Sequence, residues 1–66
     1  MNKFNNDLLK EYPDVLTGTM IMEILCIGKT HTYKLLKTGE IRSFKIGREY
    51  RILKVDLISY LLKKIN

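Results

Sequence analysis

The sequence predicts a small α+β domain, and three observations carry that expectation. Apolar residues recur at helical spacing in two short stretches, from Gly18 to about Leu25 and from Lys29 to about Lys37. Beyond Thr38-Gly39 the period changes from about 3.6 to about 2. Residues 55–65 then return to helical spacing. At 66 residues there is room for one domain only. A domain of this size buries only about 60% of the surface its unfolded chain exposes, so a binding module is expected rather than an enzyme with a cleft.

Residues 1–13 are expected as a flexible or short helical N-terminal segment, and 14–66 as the domain. A helical turn from Asp7 to Tyr12, capped by Asn6, would end at Pro13, because a residue before proline is pushed out of the helical region. Asp14-Val15-Leu16 reads as a short extended entry. Thr17 is the expected N-cap of the first helix, whose apolar face holds Ile21, Ile24 and Leu25 and is widened by Met20 and Met22. A break follows at Ile27-Gly28, with Gly28 as the cap of the second helix.

In that second helix Tyr33, Leu35 and Leu36 are expected to face inward, and Lys29, Thr30, His31 and Lys34 outward. Gly39 stops it, since glycine takes the left-handed conformation cheaply. Ile41 to Ile46 alternate apolar and polar, as a half-buried strand does. Gly47-Arg48 forms a tight connection of two to four residues, and Glu49 to Leu53 the return strand. Leu57, Ile58, Leu61, Leu62 and Ile65 then give one apolar stripe on a last helix from Val55 to Ile65, with Lys63 and Lys64 complementing the negative end of its dipole.

Charge narrows the function. Lys and Arg number 12 against 7 Asp and Glu, a net +5. Residues 28–54 hold eight of these cations against Glu40 and Glu49, a net +6, whereas residues 1–27 carry −2 and residues 55–66 carry +1. A basic segment that forms one face is the footprint of phosphate contact. Cys26 is the only cysteine, so no intrachain disulfide is possible and no oxidising compartment is needed. There is no apolar leader at the N-terminus and no apolar run long enough to span a membrane. A cytoplasmic, nucleoid-associated protein is expected, without membrane contact, cofactor or metal. His31 is the only histidine and has no partner set for a metal or a catalytic triad. No phosphate-binding glycine loop or nucleophile elbow occurs, so catalysis is not expected.

Helix, short turn, helix, two-stranded hairpin and C-terminal helix describe a small winged helix-turn-helix. In such a fold the second helix enters the major groove of DNA, where base edges are distinguishable, and the hairpin lies on the neighbouring backbone or minor groove. The expected recognition-helix contacts are Lys29, Thr30, His31, Thr32 and Lys34. The expected wing contacts are Arg42, Lys45, Gly47, Arg48 and Arg51, with Arg48 at the tip suited to a narrow minor groove. Lys54 would extend the patch. Tyr50 either packs on the sheet or touches the sugar-phosphate backbone.

Several motifs stand in fixed register: Leu16-Thr17, Leu25, Ile27, Tyr33, Leu35-Leu36, Gly39-Glu40-Ile41, Lys45-Ile46-Gly47, Arg51-Ile52, Asp56-Leu57 and Tyr60-Leu61. This run, Leu16 to Leu62, resembles the excisionase-type helix-turn-helix domain, a relative of the MerR-like winged helix. The resemblance departs at Met22 (usually Ala), Cys26 (usually a turn Gly), Gly28 (usually a capping Ser) and Thr32 (usually Val). Cys26 is therefore expected to adopt a positive φ. The resemblance makes Tyr33 and Tyr60 packing residues, and Tyr12 has no assigned role. Met20 falls where the family carries a charge, which makes it, or the last helix, a candidate protein-contact surface.

The resemblance implies two jobs. Excisionases, or recombination directionality factors, bind and bend attachment-site DNA, often as several cooperative copies, and assist a site-specific integrase (a tyrosine recombinase) in excising a mobile element. Others are transcriptional regulators. With nothing expected after the third helix, the excisionase is the expected role. A small transcriptional regulator, or a winged-helix module that inhibits a protein partner, is the alternative. A tyrosine recombinase itself needs several Arg, a His or Lys and the nucleophilic Tyr in a far larger domain.

Overall fold

The computed structural model describes residues 9–65. The elements run β1 Val15–Thr17, α1 Gly18–Leu25, α2 Lys29–Thr38, β2 Phe44–Ile46, β3 Glu49–Leu53 and α3 Lys54–Ile65. The result is a small α+β winged helix-turn-helix, a three-stranded antiparallel sheet with three helices.

Local chemistry sets the boundaries. The Thr17 hydroxyl accepts a hydrogen bond from the Met20 N–H at 3.2 Å, satisfying one of the free donors at the start of α1. Cys26 ends that helix in the left-handed conformation, φ 56° and ψ 44°, with the Ile27 N–H reaching back to the Met22 carbonyl. Gly28 caps α2 with extended backbone and no side-chain bond. Gly39, at φ 84°, closes α2, and the Ile41 N–H donates to the Leu35 carbonyl at 3.2 Å.

The extended entry goes further than expected. It is a third strand, pairing with β3 so that the order is β1-β3-β2. Leu16 stands opposite Ile52, and both are fully buried. The hairpin strand is shorter than expected and is not half-buried. Ile41 belongs to the closure of α2 and is fully buried, whereas β2 covers only Phe44–Ile46 and exposes all three residues. The hairpin extends past the core, so alternation there follows the pleat without a buried side. Ile46 pairs with Glu49 across the two-residue turn Gly47-Arg48. Positive φ falls on Gly47 alone, at 66°, the φ pattern of a type II′ turn, which suits the twist of the strands.

The core comprises Leu9, Leu16, Ile21, Leu35, Leu36, Ile41, Ile52 and Leu57. Leu9 is only 2% exposed and Tyr12 packs on the cluster, so the packed body includes residues N-terminal to position 14. Of the expected N-terminal turn, Asn6, Asp7 and Leu8 lie outside the described residues. Within them the Tyr12 N–H donates to the Leu9 carbonyl at 3.1 Å. Ile58 and Leu61 of α3 pack against the core, and Ile65 is exposed.

Candidate nucleic-acid interface

The turn between α1 and α2 is three residues, Cys26-Ile27-Gly28. It holds α2 with one flank on the core and the other free. Leu35 and Leu36 are buried and Tyr33 is half-buried, while Lys29, Thr30, His31 and Lys34 are exposed, as the helical spacing requires. Thr30, Lys34 and Lys37 follow at i, i+4 and i+7, so Lys37 joins the same face. Lys37 is absent from the expected contacts, although the helical period alone would have included it.

Thr32 does not belong to this face. It is 0% exposed, and its hydroxyl donates to the Gly28 carbonyl at 2.8 Å. Thr32 therefore has no surface to offer a duplex, and its place among the expected contacts is corrected. The position is one where the resemblance has Val, and an apolar environment explains both residues.

Lys45, Gly47 and Arg48 of the hairpin are exposed, and so is Arg42 in the loop that precedes β2. Arg51 differs. Its guanidinium lies 3.1 Å from the Glu49 carboxylate and donates to the Tyr50 carbonyl at 3.0 Å, with 28% of the side chain exposed. Its charge is engaged within the strand. Lys54 does not extend the patch. Its ammonium donates to the Tyr12 carbonyl at 2.9 Å and the Leu9 carbonyl at 3.3 Å and lies 3.8 Å from Asp14. It fastens the N-terminal turn to the start of α3.

Tyr50 resolves toward packing. Its ring centroid lies 5.9 Å from that of Tyr33, tilted by 47°, and the Lys45 ammonium sits 4.9 Å above it. Tyr33 in turn stands against Gly18, where an added Cβ would come within 3.0 Å of the phenol oxygen. Thr17, Gly18, Thr19, Tyr33 and residues 48–51 line one recess between α1, α2 and the hairpin. On the other flank of α2, His31, Lys34 and Thr38 share a groove with Glu40, Tyr60 and Lys64. Met20 is half-buried and packed on the core.

Lys29, Lys34, Lys37, Arg42, Lys45 and Arg48 thus form an exposed cationic surface over α2 and the hairpin, and no ion pair engages them among the described residues. Its chemistry suits a polyanion, and a helix beside a basic hairpin suits the grooves of a duplex. This is the class of DNA-binding helix-turn-helix domains. Residues 15–64 match the family described as Helix-turn-helix domain, and the chain belongs to that family. Comparisons with curated proteins and with solved structures find no match. No helix of the described residues is long and apolar enough to cross a membrane.

Proposed function

We propose that the protein is a sequence-specific DNA-binding excisionase, a recombination directionality factor acting on attachment-site DNA. The observation that carries DNA binding is the set of six exposed cations, three on α2 and three on the hairpin and the loop before it. In this reading α2 enters the major groove with Thr30, His31 and Lys34 toward base edges and Lys29 and Lys37 toward phosphates. Arg42, Lys45 and Arg48 hold the adjacent backbone, with Gly47 letting the hairpin turn approach closely.

The finer role rests on the resemblance of Leu16–Leu62 to excisionase-type domains. The motif residues have defined work in the fold: Gly39 closes α2, Gly47 turns the hairpin, and Ile52 and Leu57 fill the core. The protein would bend the duplex, bind in several cooperative copies beside the nucleoid, and bring a tyrosine-type integrase into an excisive complex. Its part is binding, with the chemistry supplied by the integrase.

Footprinting on attachment-region DNA, with and without the integrase, tests this. Protection of discrete sites and stimulated excision are expected. Site-specific protection that changes transcription with no effect on excision would assign a regulator instead. Activity that survives charge reversal at Lys34 and Arg48 would point to a protein target.

A further inference from the structure

We infer that Tyr50 is a positioning residue that fixes the hairpin to the recognition helix, so that the two engage DNA as one rigid unit of set spacing. The inference rests on the DNA-binding reading above and extends it to how the two contact elements are coupled.

Three side chains, from α2, β3 and β2, stack in sequence against a glycine of α1. Gly18 at the start of α1 leaves room for the Tyr33 phenol, whose oxygen is 3.0 Å from where a Cβ would stand. The Tyr33 ring on α2 meets the Tyr50 ring on β3 at 5.9 Å. Lys45 on β2 is the cross-strand partner of Tyr50 and holds its ammonium 4.9 Å above that ring. A tilted aromatic pair and a cation over a ring face are both attractive geometries. β1 pairs with β3 only at Arg51–Leu53, so beyond that pairing the hairpin tip has this stack to hold it against the body, since all of β2 is exposed. Past the end of β1 the sheet is two-stranded, and a two-stranded ribbon is marginal in water unless something packs on it.

The stack also aims charge. Lys45 lies on the face of the hairpin that carries Tyr50, toward α2, while Phe44 and Ile46 lie on the opposite face. A tethered Lys45 presents its ammonium on the α2 side of the hairpin without ordering a long side chain on binding. Pre-organisation of this kind favours one spacing between groove and backbone contacts, which makes Tyr50 a determinant of specificity through Lys45.

Tyr50→Leu keeps bulk and removes the ring face, whereas Tyr50→Phe keeps the ring. In footprints on specific DNA, Tyr50→Leu is expected to keep the protection due to α2, lose the backbone protection due to the hairpin, and bind roughly tenfold more weakly. Tyr50→Phe is expected to match the parent. In a double-mutant cycle, Tyr50→Leu is expected to be non-additive with Lys45→Ala and additive with Lys29→Ala. Intact hairpin protection in Tyr50→Leu, with additivity to Lys45→Ala, would overturn the inference. Backbone order parameters of the unaltered protein give a readout free of any folding defect. Values near about 0.85 across residues 44–50, equal to those of α2, are expected, and values below about 0.6 would overturn it. Absence of specific protection by the unaltered protein would instead refute DNA binding itself, so the two failures are distinguishable.

Discussion

The Thr32 hydroxyl donates to the Gly28 carbonyl at 2.8 Å, and the same oxygen accepts the Thr32 N–H at 3.0 Å. One carbonyl at the start of α2 therefore takes both donors of a buried residue. Replacing Thr32 with Val removes only the hydroxyl donor. The carbonyl keeps its helical partner, and the buried site gains an apolar group of the same shape. Thr32→Val is expected to change stability by less than about 1 kcal/mol, in either direction. It should leave DNA affinity unchanged, since the side chain has no surface. Parallel melting and binding curves check both statements.

Cys26 stores strain. Its φ of 56° is in the left-handed region, where a side chain costs about 1–2 kcal/mol that glycine does not incur. Cys26→Gly is expected to stabilise the domain by about 1 kcal/mol, after allowance for the looser unfolded chain that glycine brings. For a domain of this size that raises Tm by roughly 4–8 °C. Unchanged or lowered Tm in a thermal scan would mean the turn carries no such strain.

Lys54 is a fastener and not part of the cationic surface. Its ammonium joins the Leu9 and Tyr12 carbonyls at a partly buried site. Lys54→Met is expected to cost about 1–2 kcal/mol, at the low end for charge-assisted bonds because part of the site is solvated. Urea unfolding measures this. The salt dependence of DNA binding by the folded variant should stay that of the parent. A reduced slope would return Lys54 to the interface.

Much of this architecture is legible in the sequence because the signals are local. A Thr cap, a Gly stop and a Gly-led hairpin turn place α1, the C-terminus of α2 and β3 to within a residue, while the turn length of two residues comes from the pairing of Ile46 with Glu49. The residues that escape depend on distant partners. Val15–Thr17 shows no alternation of its own and becomes a strand only because Leu53, Ile52 and Arg51 lie alongside. Phe44 and Ile46 carry the alternation of a half-buried strand, yet nothing beyond the core reaches them. In the candidate site, residue type misleads where geometry decides. Thr32 reads as polar surface, although it lies one helical turn before Leu36 on the inward side. Arg51 and Lys54 count as positive charge, yet an ion pair holds one and backbone carbonyls hold the other. The Tyr33–Tyr50 pair joins residues seventeen apart in the chain, and no periodicity announces it.

The most direct test is a salt-titrated binding measurement on attachment-region and random duplex, with Lys34→Ala and Arg48→Ala beside the parent. Six exposed cations on α2, the hairpin and the loop between them set an upper slope of log K against log salt of about −5. Each substitution should reduce the slope by about 0.9, and the parent should prefer specific DNA by at least ~10³-fold. Binding confined to the ~10⁻⁴–10⁻⁶ M range, with no preference between duplexes and slopes unmoved by either substitution, would contradict specific DNA recognition by this surface.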